Sequence, residues 1–251
     1  MNLFFVQTTI PLLIAAVLTA QAADCRASTE GGDQAYRERK QEAQARVALN
    51  EYREALSAAP KDPDAGWRVG MACYFVGLRL THDSGEREKL FAEGRDASLG
   101  AAKIAPGCAP CHFWAAINMA LYGQEVGVFK MLFSLKDVEA HLKQSIEIDP
   151  TYASSGAFRL LGVIHEKLPG ILGGSNRKAR EYYSKAIETS PDEPLNYLFM
   201  ARLLENHFDR LKDAENLAKK GLTLKNIPSE RLESIEAQAE LQSWLKMHAQ
   251  P

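Results

Sequence analysis

The sharpest chemical signal in the chain is five residues long: Cys108-Ala109-Pro110-Cys111-His112. Two thiols three positions apart, followed at once by His, spell the attachment motif of c-type haem. In that chemistry both sulfurs add to porphyrin vinyl groups and the imidazole becomes an axial iron ligand. The same two thiols can instead pair as a structural or labile disulfide, or remain free. No Met or second His stands at an obvious spacing to complete an iron site, although His82, His141 and His165 occur elsewhere. Haem c is therefore the alternative to a reading without a cofactor. Zinc would need a second ligand pair at finger-like spacing, and none follows. A thioredoxin-like assignment lacks the βαβ pattern it requires.

Other catalytic constellations are missing. The chain carries no Gly-rich phosphate loop, no nucleophile elbow and no His-Glu-x-x-His. His165-Glu166-Lys167 reads as a solvated helix end, and the chain reads as a non-enzyme. With a net charge of −2 and both signs interspersed, it has no surface suited to neutralising phosphates, so nucleic acid is not an expected partner.

The elements that must hold these residues are helices. From Gln34 onward amphipathic stretches dominate and no period-2 alternation appears. Small and aromatic residues recur as Ala-x3-aromatic-x2-Ala-x4-Pro, the second-helix pattern of a tetratricopeptide-like hairpin. Ala48, Tyr52, Ala55 and Pro60 match it in full, as do Ala179, Tyr183, Ala186 and Pro191. Gly94, Ser98, Ala101 and Pro106 keep the spacing, and so do Val138, Leu142, Ser145 and Pro150. Small residues let the two helices of a hairpin approach, the aromatic fills the next layer, and Pro stops the helix.

The expected fold is all-α. It is a tetratricopeptide-like stack of antiparallel helical hairpins, an α-solenoid of about ten helices, closed by a C-terminal capping helix within Pro228 to Lys246. Two departures from the frame stand out. The hairpin between Gly70 and Gly94 is lengthened, and Gly162 arrives two positions late after Pro150, which marks a local insertion. The apolar run Gly127 to Leu135 is either a buried link between hairpins or a docking surface.

At the other end, residues 1–22 are uncharged, with an apolar stretch from Ile10 to Leu18 and a small-x-small Ala20-Gln-Ala22. They read as a cleaved signal peptide that sends the chain to the periplasm, with an uncleaved membrane anchor as the alternative. Cys25 follows Asp24, which a lipobox does not tolerate, so the chain is not clearly a lipoprotein. Residues 23–32 are expected to be a flexible segment and 33–248 the repeat domain. In an oxidising compartment, Cys25, Cys73, Cys108 and Cys111 allow three full pairings.

Two stretches carry a family likeness. One is His112-Phe-Trp114-Ala-Ala-Ile-Asn118 leading to Tyr122. The other runs through Gly162, Pro169-Gly170, Gly173-Gly174, and Lys178-Ala179. Over roughly Trp67 to Leu204 the chain resembles the T component of TRAP transporters, the TatT family. That resemblance implies a periplasmic accessory protein that partners the solute-binding P component of an ion-driven uptake system. It also implies an apolar groove or pore, and assembly as a homotrimer.

The repeat frame places one face of each first helix on the concavity. Its candidates are Trp67, Met71 and Tyr74, then Phe113 and Ile117, with Arg159 further on. Such a wall suits a small apolar or amphipathic ligand with a charged head. The competing reading is that these aromatic and Met residues are simply core.

Overall fold

Pro, Asp and Ser punctuate the chain where helices begin. Asp62 caps the helix that starts at Pro63, Asp83 caps the one that starts at Ser84, and Ser175 caps the one that starts at Asn176. Each side chain accepts a backbone N–H that the first turn leaves without an intrahelical partner. A computed structural model describes residues 29–225 and 227–248, and those residues contain eleven α-helices and no strand. In chain order they are α1 (29–37), α2 (Glu42–Ala58), α3 (Pro63–Arg79), α4 (Ser84–Ile104), α5 (Ala109–Val126) and α6 (Val128–Ile148). There follow α7 (Tyr152–Lys167), α8 (Asn176–Thr189), α9 (Pro194–Phe208), α10 (Leu211–Leu222) and α11 (Leu232–His248), with a short 3-10 turn at Gly170–Leu172.

The hairpins α3/α4, α5/α6, α7/α8 and α9/α10 pack in sequence, as the repeat pattern requires. The signature residues lie where the helices approach. Tyr52, Ala55, Ser98, Ser145, Tyr183 and Ala186 are all fully buried. Gly162 of α7 faces the ring of Tyr183 so closely that a Cβ there would have no room. The lengthened hairpin is made by longer helices: α3 runs to Arg79 and α4 starts at Ser84. Only Gly127, at φ +118°, separates α5 from α6, and Phe133 on α6 is 83% exposed, so the apolar run is not a buried link throughout.

The late arrival of Gly162 has a backbone cause. Ala153, Ser154 and Ser155 adopt left-handed φ values of 50°, 52° and 63°, forming one reversed turn before α7 continues as a normal helix. L-residues rarely adopt three such conformations in a row, because Cβ meets the following carbonyl oxygen.

One sequence expectation is corrected here, and a second, the C-terminal capping helix, is extended. Residues 29–32 are not a loose leader. They begin α1, where Gly32 abuts the Tyr52 ring and Asp33 accepts from Tyr52 Oη at 2.7 Å and Arg68 Nε at 2.8 Å. Nor does α11 only cap the far end of the stack. It packs on α9 and α10, yet its first residues reach the opposite end of the molecule. Arg39 donates to Glu233 at 2.6 Å and to the Glu230 carbonyl at 2.9 Å, Arg79 pairs with Glu236, and Leu232 packs against the α1–α3 core. The two ends of the repeat array are thus clasped. The signal-peptide and anchor readings fall on residues 1–22, outside the described residues. No helix among the described residues is long and apolar enough to cross a membrane.

Candidate functional site

Closing the array leaves a half-open cavity of about 650 Å³ between the first helices of successive hairpins, α1 and the start of α11. Of the six groove candidates, Met71, Tyr74, Phe113, Ile117 and Arg159 line it. Trp67 does not. It lies nearer the start of α3, against Ala101, Ala102 and the Cys108–Cys111 corner, with its Nε1 donating to Asp64 at 3.0 Å and the Arg68 guanidinium over its ring.

The rest of the wall is mostly apolar: Trp114, Ala116, Ala120, Leu121, Val138, Leu142, Leu160, Val163, Leu195 and Phe199, with Tyr36 and Tyr152. Burial holds the phenols of Tyr36, Tyr74 and Tyr152 above their ordinary range, so these rings are neutral walls. The Trp114 Nε1–H donates to Tyr152 Oη at 2.8 Å, which fixes both rings.

Polar groups gather at one end. Arg159 reaches back to the reversed turn. Its Nη1 donates to the Ser154 carbonyl at 2.7 Å and to Asn196 Oδ1 at 2.6 Å, and its Nη2 donates to the Ala153 carbonyl at 3.2 Å. Burial pushes its pKa down to about 10, with Glu193 partly opposing that effect, so it stays charged at neutral pH. Arg231 donates to Glu193 at 2.7 Å and to Ser154 Oγ at 2.5 Å, and Arg39 is paired with Glu233. Three arginines therefore face Glu193, Glu230 and Glu233, yet none of the hydrogen bonds of Arg159 goes to a carboxylate.

The residues behind the family likeness mainly hold the scaffold. Asn118 is fully buried and donates to the Gly70 and Trp114 carbonyls, both at 2.9 Å, locking α5 against α3. Arg95 lies over the Tyr122 ring. Pro169 and Gly170 enter the 3-10 turn, Gly173 takes φ +93°, and a Cβ on Gly174 would collide with the Leu168 carbonyl. Lys178 is exposed and Ala179 buried. Other residues along α7 and α9 turn away from the cavity: Leu198 joins the C-terminal core, Arg202 pairs with Glu240, Glu205 accepts from Trp244, and Glu166 accepts from Tyr183.

Cys108 and Cys111 are joined by a disulfide. The His112 ring is buried, with Nε2 3.0 Å from the Pro106 carbonyl and Nδ1 2.8 Å from His141 Nδ1. Covalent haem needs both sulfurs for thioether bonds and one open imidazole nitrogen. The motif as folded here offers neither. Among the described residues, no group of three or more His, Cys, Asp or Glu is arranged to hold a metal ion.

The family model described as Regulator of microtubule dynamics protein 1-3 (RMD1-3) matches residues 29–166, more than half of the chain. The chain belongs to this family. The match takes in α1 to α7 and most of the cavity wall, while Glu193, Phe199 and α11 lie beyond it. Among solved structures, the chain is similar to a thermophilic TPR protein from Thermus thermophilus. Identity is 17%, coverage is 88% of this chain and 98% of that one, and the TM-score is 0.65. It is also similar to the pilF protein of Pseudomonas aeruginosa at 16% identity, covering 90% and 94% of the two chains, with a TM-score of 0.54. These likenesses establish a TPR-like helical repeat for this member of the RMD1-3 family. No curated protein sequence matches it.

The sequence frame missed Tyr36, Arg39, Tyr152, Glu193 and Arg231 as cavity residues. The first two precede the first full repeat signature and the last follows the last one, so no repeat register assigns them a face.

Proposed function

We propose that this protein is a non-enzymatic helical-repeat binding protein. On this reading the stacked hairpins serve as an interaction scaffold, and the cavity holds the apolar chain of an amphipathic, anionic ligand. The observation that carries the reading is Arg159, a charged guanidinium without a carboxylate hydrogen-bond partner, set among the polar groups at one end of a cavity whose remaining wall is mostly apolar. A volume of about 650 Å³ falls in the range of small-molecule sites. Apolar burial would supply most of the affinity, and the guanidinium would orient the head.

Titration calorimetry with dodecanoate tests this. One dodecanoate is expected per chain, dodecanol should bind more weakly, and Arg159→Gln should weaken dodecanoate by roughly ten-fold or more, the worth of a charge-assisted hydrogen bond. Absence of heat with both amphiphiles, on protein extracted free of lipid, would leave the scaffold without a ligand.

The TatT likeness adds a partner to this reading. A TRAP-type P component that co-purifies with the exported chain would narrow the scaffold to solute uptake. Periplasmic placement through residues 1–22 and a homotrimeric assembly belong to the same narrower proposal.

A further inference from the structure

The Cys108–Cys111 bond ties no two elements together. Its cysteines are three positions apart, at the N-cap and in the first turn of the same helix, α5. A disulfide stabilises chiefly by closing a loop of unfolded chain, and the gain shrinks as the loop shortens, so this bond sits at the weak end of that scale. The two sulfurs also differ sharply in access. Cys111 is fully buried, whereas Cys108 is half-buried beside exposed Pro106 and Gly107, with open space around Gly107.

We propose that Cys108–Cys111 is a thiol–disulfide exchange site, with Cys108 as the sulfur that is attacked. This goes beyond ligand capture in the cavity and does not depend on it. The helix end is built for such chemistry: Cys108 Sγ accepts the Cys111 backbone N–H at 3.1 Å, and the first turn of α5 carries no acidic residue. A thiolate on Cys108 would therefore face the positive end of the helix. The reduced form is accommodated as well, because Cys111 Sγ lies 3.9 Å from the Pro63 carbonyl, which can accept the thiol proton. A thioredoxin fold is not needed for this; one accessible sulfur at a helix N-terminus, bonded to a buried partner, is.

The reductant is a dithiol. One of its thiolates attacks Cys108 Sγ, the Cys108–Cys111 bond breaks, and Cys111 leaves with the electron pair and takes up a proton. The second thiolate of the reductant then attacks its own sulfur in the mixed disulfide and releases Cys108. The dithiol loses two electrons and becomes a disulfide, and the protein gains two thiols. A disulfide oxidant reverses the sequence. His112 takes no part, since both of its ring nitrogens are engaged. Cys73 is fully buried, and burial pushes its thiol up, so it does not compete.

The test is equilibration of the full chain with dithiothreitol redox buffers, followed by alkylation and mass measurement. Reduction is expected to be complete and reversible in the folded protein, with unchanged helix content and a Tm lowered by less than about 5 °C. In the reduced protein Cys108 should alkylate on the order of ten-fold faster than Cys111, with a pH midpoint below about 8.5. Cys111→Ser should trap a mixed disulfide with oxidised glutathione, and Cys108→Ser should not. Reduction that occurs only with unfolding, a Cys108 midpoint at or above that of a free thiol, or no mixed disulfide in Cys111→Ser would each overturn the proposal.

Discussion

At the scale of single residues, close approach decides more than polarity. Gly162 has the Tyr183 ring where a Cβ would stand, and the ring is fully buried, so it has little freedom to retreat. Gly162→Ala is expected to destabilise the fold by about 1 to 3 kcal/mol, read as a lower urea midpoint at unchanged slope. The His112–His141 contact gives a pH dependence. Burial first, and His112 second, lower the His141 pKa from 6.5, with Asp137 opposing. A group whose folded pKa is depressed favours the neutral form in the native state. Its contribution is full above pH 6.5 and declines as the pH falls below that value, because the unfolded chain takes up the proton more readily. Thermal melts between pH 7.5 and 5.5 should show this decline, and His141→Gln should reduce it. The sequence marked His112 only through the haem motif and the family likeness. Its packing against His141 depends on how α5 crosses α6, which no motif states.

At the scale of elements, the reversed turn at the start of α7 is the feature most dependent on its surroundings. The late arrival of Gly162 in the repeat frame showed that residues had been inserted, but not their conformation. Ala153, Ser154 and Ser155 are held left-handed by the partners they meet: Arg159 on two of their carbonyls, Arg231 on Ser154 Oγ, and Ser190 on Ser155 Oγ at 2.7 Å. The Ala153 side chain is exposed. Ala153→Gly should therefore relieve conformational cost without losing a contact, raising stability by about 1 kcal/mol and Tm by a few degrees. If Tm falls instead, the turn is not left-handed in solution. Trp67 gives the converse lesson. It shares the face of α3 with Met71 and Tyr74, but it sits one turn nearer the helix start, where the α4–α5 corner covers it. Helical periodicity assigns a face and cannot say which neighbour covers each turn.

At the scale of the whole molecule, the clasp of the turn after α1 and the end of α3 on α11 narrows an open solenoid groove into a half-open cavity. The Arg39 side chain is only 8% exposed and its Glu233 partner 33%, so the pair is screened less than a surface pair. Arg39→Ala should cost about 1 to 2 kcal/mol. If the clasp governs access, it should also speed proteolysis in the loop between α10 and α11 and shorten the residence of bound dodecanoate, measured by displacement. Unchanged proteolysis and residence would mean that α11 is held by α9 and α10 alone.

The repeat was legible in the chain alone: its helices, their punctuation by Pro and capping side chains, and the small residues at each crossing. Those signals are local and periodic, and they recur unit by unit. All six groove candidates came from the same register, and five of them line the cavity. The rest had to wait for the fold. The turn after α1 and the end of α3 share no motif with the start of α11, yet Arg39–Glu233 and Arg79–Glu236, 194 and 157 positions apart, bring them together. Closure depends on the summed curvature of four hairpins, which no single repeat encodes. The two thiols show the same division. Their spacing announced redox or cofactor chemistry, but only the folded helix end shows that one sulfur is accessible, the other buried, and His112 already engaged.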